Sequence, residues 1–147
     1  MTQKLGAHGS VNFVESLMSS PVVTVKPTAL VKSALRIMIR KDIGCVVVVE
    51  GRKPVGILTD RDVSRKIART ANVLMSRVRQ VMSRPLITVT PHTLIEHAVY
   101  LMVRYGIRRL PVIEDGALVG LISDSDLLLR FSYLLRFDKD KKTKKML

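Results

Sequence analysis

Apolar residues recur along this chain in two rhythms. Leu30, Ala34, Leu35, Ile37 and Met38 keep the spacing of an amphipathic helix, and so do Leu94, Ala98, Leu101 and Met102. A short β-rich run precedes each helix, Val22 to Val25 or Leu86 to Val89, with Thr28 and Thr93 as candidate N-caps. After each helix comes a run too short and too β-branched to be helical, Val46 to Val49 or Leu110 to Ile113. A turn follows, Glu50-Gly51-Arg52-Lys53 or Glu114-Asp115-Gly116, then a second run, Val55 to Leu58 or Leu118 to Ile122. Asp-Gly between apolar runs is a hairpin signal. A closing helix is expected near Asp60 and again near Asp124. Each unit therefore reads β-α-β-β-α. Pro111 has no N–H to give a ladder, so it is expected at an edge or a bulge.

The two units are one repeat at an offset of 64 residues. Pro21 aligns with Pro85, Leu30 with Leu94, Met38 with Met102, Ile43 with Ile107 and Gly56 with Gly120, without a gap as far as Asp62 and Asp126. The fold class is mixed α/β (α+β). Divided on this basis, 1–17 is an N-terminal extension, 18–70 the first repeat, 71–81 a linker, 82–136 the second repeat and 137–147 a basic tail. Residues 1–10 read as loosely ordered, and Val11 to Met18 as a short docked helix. The spacing of Ile67, Ala68, Ala71 and Leu74 predicts that the first closing helix continues into the basic link. The second, Leu127 to Leu135, is more apolar than a surface helix needs. It is expected to cover a partner subunit, the other reading being core within the chain.

Composition narrows the class. The 147 residues are 47 % apolar but only 4 % aromatic, with no Trp, so the core must be aliphatic. No apolar run is long enough to span a bilayer, and the first ten residues carry no signal-peptide h-region. A single cysteine, Cys45, excludes an intrachain disulfide and a multi-cysteine zinc site, and reads as a small core residue. A cytoplasmic protein without membrane association fits. The net charge of +13 favours anionic partners, although the run Lys139 to Lys145 reads as a solvated tail.

Two stretches carry candidate chemistry: Gly56-Ile57-Leu58-Thr59-Asp60-Arg61-Asp62 and Gly120-Leu121-Ile122-Ser123-Asp124-Ser125-Asp126. A hydroxyl residue followed three positions later by a carboxylate is a capping box. The same geometry leaves N–H groups at the positive end of a helix, a natural phosphate site. Thr59 and Ser123 could meet phosphate, and Gly56 and Gly120 would let a backbone approach closely.

Together these marks, with Thr24-Val25-Lys26-Pro27, Thr88-Val89-Thr90-Pro91 and Arg108-Arg109-Leu110-Pro111-Val112, resemble a tandem pair of CBS (cystathionine-β-synthase) domains, a Bateman module, over residues 18 to about 135. The resemblance implies two repeats packed with pseudo-two-fold symmetry and two clefts. It implies a regulatory module for adenosine ligands (AMP, ADP, ATP or S-adenosylmethionine) with no resident cofactor, and assembly of two pairs into a disc. By the same resemblance, cleft one combines Thr59 and Asp62 with Ile87, Thr88, Arg108, Arg109 and Pro111. Cleft two combines Ser123 and Asp126 with Val23, Thr24, Gly44, Cys45 and Val47. Cleft two has Gly44 and Cys45 where cleft one has arginines, and Val47 in place of the proline, so it is expected to hold phosphate less well.

No nucleophile–base pair, P-loop or acidic metal cluster is visible, and His8, His92 and His97 lack metal-ligand spacing. The leading expectation is therefore not an enzyme. It is a sensor that binds an adenine nucleotide, forms a homodimer and relays a conformational change to an effector protein. The alternative is a nucleic-acid-binding protein using its basic surface, with both Asp motifs as helix caps only. Against it, no recognition-helix motif or aromatic stacking platform is present.

Overall fold

The computed structural model describes residues 12–132. In the first lobe β1 (Thr24–Val25) runs parallel to β2 (Cys45–Glu50), and β2 pairs antiparallel with β3 (Lys53–Thr59). Two helices, α1 (Val31–Lys41) and α2 (Asp60–Ile67), cover one face of this sheet. Val31, Ala34 and Met38 of α1 meet Val63 of α2 over Val46, Val48 and Leu58. The second lobe repeats the plan with α3 (Ile95–Tyr105), β4 (Arg109–Glu114), β5 (Ala117–Ser123) and a helix from 124, α4, described as far as 132. Its core joins Ala98, Met102, Leu110, Val112, Ile122 and Leu127. Alternation along the strands and 3.6-residue spacing along the helices put these residues on facing surfaces. The expected mixed fold of two repeated units of strands and helices is what forms, but only the first keeps the full β-α-β-β-α order.

The lobes are tied by exchanged leading segments. Residues 12–19 pack on the second lobe, where the Val14 N–H donates to Thr93 O (2.9 Å) and Ser19 bridges Leu121 of β5. Residues 76–83 pack on the first, where the Val78 N–H donates to Ala29 O (2.8 Å) and Ser83 bridges Ile57 of β3. Val14 and Val78, 64 residues apart, are both fully buried. Each segment also fills the space above a glycine. A Cβ on Gly56 would collide with the Met82 side chain, and one on Gly120 with Met18. These glycines admit methionines of the exchanged segments, and at Gly56 the Ser83 backbone also approaches closely, 3.2 Å from where a Cβ would stand.

Local expectations fail where these segments intervene. Thr28 and Thr93 are not the N-caps. Leu30 and Leu94 hold those positions in extended conformation, without side-chain caps. The free helix N–H groups are met from outside, Val31 by Ser76 O (2.9 Å) and Ile95 by Asn12 O (2.8 Å). Thr93 instead accepts the Thr90 N–H in a turn (3.0 Å). The link does not extend the first closing helix. It ends at Ile67, and Asn72 turns left-handed (φ 58°), which drops Val73 and Val78 into the first core. Residues 14–16 form a single 3₁₀ turn where a short helix was expected. The expected N-terminal ten residues and the basic tail lie outside the described residues, as does the end of the apolar helix beyond 132.

Pro111 does sit where a ladder bond is missing. In the first lobe the Val47 N–H donates to Val23 O (3.1 Å). Pro111 occupies the equivalent position and has no N–H, so Ile87 O receives no such bond. The opening strand of the second lobe shrinks to one bridge, Val89 to Val112.

Candidate functional site

A cavity of ≈ 160 Å³ opens between the lobes. The end of β3 and the first turns of α2 supply Ile57 and Thr59 to Asp62, with Arg65 one turn on. The exchanged segment supplies Ser83, and the chain after it Pro85, Leu86 and Ile87. The loop from α3 into β4 supplies Gly106 to Arg109, with Pro111 beyond. Six of the seven residues expected for cleft one, Thr59, Asp62, Ile87, Arg108, Arg109 and Pro111, line this single cavity. Thr88 does not, because it alternates away from Ile87 along the same extended segment and is exposed.

The capping box is fully made. The Asp62 Oδ2 accepts both the Thr59 N–H (2.9 Å) and the Thr59 hydroxyl (2.9 Å), and Thr59 Oγ1 accepts the Asp62 N–H (3.1 Å). The other Asp62 oxygen accepts the Ser83 hydroxyl (2.7 Å), which fastens the exchanged segment to α2. The helix start offers no free N–H among its first three. Asp60 donates to Gly44 O (3.2 Å), Arg61 to the Asp60 Oδ1 (2.9 Å), and Asp62 to Thr59. The outward-facing N–H groups expected from the motif are therefore already engaged. Any phosphate here would fall to side-chain cations.

Those cations are arginines on two sides. Arg108 and Arg109 come from β4 and its approach, Arg61 and Arg65 from α2. Arg61 and Arg65 were not among the expected site residues. The signal for them was the four-residue step along a helix that begins at Asp60, which puts both on one face. Arg108 is committed. Its Nε donates to Asp124 (2.8 Å), which raises its pKa above the ordinary arginine range. Arg109 has no carboxylate partner among the described residues. Its guanidinium lies over Gly44, where a Cβ would collide with it. Gly44, expected in cleft two, thus makes room for a cation that also lines the cavity.

The other cleft-two residues are placed differently. Cys45 and Val47 are buried in β2, Thr24 is exposed in β1, and Val23 O is taken by Val47. Ser123 and Asp126 repeat the capping box (Ser123 N–H to Asp126 Oδ2, 2.8 Å; Asp126 N–H to Ser123 Oγ, 3.3 Å) and do not line the cavity. Burial pushes the Cys45 thiol from 9.0 up to about 11; nearby Arg109 opposes this and Asp60 adds to it. The folded thiol should resist a disulfide reagent at about pH 8 and react only on unfolding. Because the unfolded thiol ionises first, this residue's contribution to stability is intact below pH 9.0 and is lost as pH rises toward about 11. Thiol reactivity measured with and without denaturant checks the first point.

The chain matches the CBS domain family model twice, over residues 14–69 and 78–133. The chain belongs to the CBS-domain family. The two matches keep the 64-residue offset and start at the exchanged segments. Among relatives of this CBS pair, the CBS domain-containing protein YhcV of Bacillus subtilis is 33 % identical over 114 residues, covering 78 % of this chain and 81 % of that protein. The inosine-5'-monophosphate dehydrogenase of Korarchaeum cryptofilum is 38 % identical over 125 residues, covering 84 % of this chain but 25 % of the enzyme. The similarity therefore does not carry the enzyme's activity. Among solved structures, the CBS domain pair of protein MJ0100, in complex with 5'-methylthioadenosine and S-adenosyl-L-methionine, superposes with a TM-score of 0.75 at 25 % identity, covering 82 % of this chain and 95 % of that one. The hexameric CBS-CP12 protein from bloom-forming cyanobacteria superposes with a TM-score of 0.72 at 32 % identity, covering 79 % and 69 %. Among the described residues no helix is long and apolar enough to cross a membrane, and no cluster of His, Cys, Asp and Glu could hold a metal.

Proposed function

We propose that this CBS pair is a regulatory module that binds an adenine nucleotide, AMP, ADP or ATP, in the cavity between its lobes. One observation carries the reading: a small cavity with a free carbonyl at Ile87 and a carboxylate at Asp62 is flanked by four arginines. The Ile87 carbonyl suits the amino group of adenine. Asp62 retains lone pairs for a ribose hydroxyl beyond those given to Thr59 and Ser83. The arginines suit phosphate, and Arg109, unpaired, is the first of them to be recruited. A cavity of ≈ 160 Å³ is of a size to hold the base, with the phosphates directed toward the arginines. The adenosine ligands of the MJ0100 pair support the base and ribose assignment. S-adenosylmethionine would fit the same base site but lacks the phosphates that four arginines favour.

Ligand binding across the lobes would change their relative position and pass that change to an effector protein. A homodimer through α4 is part of the proposal. Leu128, Leu129 and Phe131 are 68 %, 69 % and 61 % exposed, and such residues want a partner. About 800 Å² per partner would be ordinary. Sedimentation equilibrium should report a dimer at tens of micromolar; a monomer there removes this part. The nucleotide reading is tested by calorimetry with AMP, ADP, ATP, adenosine and S-adenosylmethionine. A phosphorylated ligand at a hundredfold excess over its Kd adds about 2.7 kcal/mol of stability and raises Tm by several degrees. No heat and no shift with any of them overturns it.

Pro111→Val is a sharper test of the adenine contact. The new N–H would bond Ile87 O as Val47 bonds Val23. That bond adds about 0.5–1.5 kcal/mol, and the loss of proline's rigidity removes about 0.4–1 kcal/mol, so stability should hardly change. Adenosine affinity should nevertheless fall several-fold. Unchanged affinity would mean that Ile87 O does not read the base.

A further inference from the structure

A second concavity, ≈ 540 Å³, opens on the first lobe between the end of β1, the β2–β3 hairpin and the exchanged segment. Lys26, Arg79 and Arg84 line it, against one carboxylate, Glu50. Arg52 and Lys53 stand at the hairpin tip beside lining residue Gly51, and Arg77 is anchored by its bond to Thr28 O (2.9 Å). Among the described residues none of these six cations is paired with a carboxylate.

The 64-residue register supplies an internal control. At the six equivalent positions the second lobe carries Thr90, Glu15, Ser20, Gly116, Ala117 and Phe13, and Asp115 replaces Gly51. There the one basic side chain, His92, lies 3.9 Å from Glu15 and 4.0 Å from Glu114. The same fold is thus built twice, once with six cations at this corner and once with no Lys or Arg. The scaffold does not need them. The asymmetry is general: residues 20–83 hold thirteen Lys and Arg against four Asp and Glu, whereas 12–19 and 84–132 hold five against six. Unpaired like charges repel one another, and a concave surface concentrates their potential. Such a cluster is stabilised by a multivalent anion. No aromatic residue lines the concavity, so a stacking platform for single-stranded nucleic acid is missing.

We propose that this basin binds a compact oligophosphate chain through Lys26, Arg79 and Arg84, at a site separate from the cavity between the lobes. The chain is held by its phosphates alone, whether it comes as free oligophosphate or as the tail of a nucleotide. The test uses the full chain and inorganic tripolyphosphate. Calorimetry should show binding that weakens with added salt. The triple variant Lys26→Thr, Arg79→Glu, Arg84→Ser imports the residues of the second lobe and should weaken it at least roughly tenfold, the effect of losing one charge-assisted contact or more. Arg79→Glu alone serves if the triple variant misfolds. Arg109→Ala removes a phosphate partner of the other cavity, so it should spare the component of tripolyphosphate binding that the triple variant loses. Loss of that same component in Arg109→Ala would place the anion between the lobes and overturn the proposal, which keeps failure here distinguishable from failure of the nucleotide reading. An ATP arm identifies the source: competition with tripolyphosphate in the Arg109→Ala background means that a nucleotide tail enters the basin, and its absence restricts the basin to free oligophosphate. No tripolyphosphate binding by the wild-type chain, or equal binding by the triple variant, overturns the proposal. So does duplex DNA that binds through the same three residues and is not displaced by tripolyphosphate, which would make the surface a nucleic-acid contact.

Discussion

Asp62→Ala should destabilise the protein by about 2–3 kcal/mol, and Asp126→Ala by only about 1 kcal/mol. The two residues do the same work for their helices. Each carboxylate accepts the backbone N–H and the hydroxyl of its N-cap residue, Thr59 or Ser123. Losing those bonds, and a negative charge in the first helical turn, accounts for the common cost of about 1 kcal/mol. Asp62 has one more partner, the Ser83 hydroxyl at 2.7 Å. That bond is exposed to solvent, so it contributes at the lower end of the range for charged groups, about 1.5 kcal/mol. It also joins α2 to the exchanged segment, and its loss should loosen the cavity wall that Ser83 forms. Ser19, the repeat equivalent of Ser83, has no such bond to Asp126 among the described residues. Urea denaturation of both variants and of Ser83→Ala measures the difference. Equal midpoints for the two Asp variants would show that the Ser83 bond contributes nothing.

The repeat was legible because burial repeats. Ala34 and Ala98, Met38 and Met102, and Leu58 and Ile122 are buried pairs at the 64-residue offset, and a hydrophobic pattern records burial directly. The turn residues were legible for a similar reason, since the hairpin turn needs positive φ at both positions and Asp115 and Gly116 are residue types that tolerate it. The exchange of the leading segments was not legible. Its decisive contacts are between main chains, as at Ser19 with Leu121 and Ser83 with Ile57, and backbone bonds leave no side-chain signature. The exchange accounts for both helix starts and for the space above both glycines. Leu30 and Leu94 need no capping hydroxyl because Ser76 and Asn12 bring carbonyls to the helix starts. The methionines that fill the space over Gly56 and Gly120 lie in the exchanged segments, so the glycine positions alone did not reveal them. The site residues that a pattern could reach were those within a local motif, Thr59 and Asp62. Arg61 and Arg65 escaped because their four-residue step on a basic helix marks a shared face, but only the cavity shows that this face lines the site.

Arg109→Ala should weaken AMP binding by about 1.5–3 kcal/mol, roughly ten- to 150-fold, and leave adenosine almost unchanged. Four arginines line the cavity, but they are not equivalent. Arg108 spends its guanidinium on Asp124 at 2.8 Å, so its recruitment by phosphate would first break an ion pair. Arg108→Ala should therefore cost AMP binding less than Arg109→Ala. Arg109 lies over Gly44 with no carboxylate to release. This arrangement allows a variant that moves the charge without deleting it. A methyl at position 44 meets the far end of the Arg109 side chain, which can shift, so Gly44→Ala should fold normally. It should displace the guanidinium and cost AMP binding less than Arg109→Ala does, again with adenosine spared. Salt separates this from a packing effect, because a loss of electrostatic origin shrinks as ionic strength rises. The measurement is calorimetry of the three variants with AMP and adenosine at two ionic strengths. If Arg109→Ala weakens adenosine as much as AMP, the guanidinium packs against the base or holds the lobes together, and phosphate is read by Arg61 and Arg65 from α2 instead.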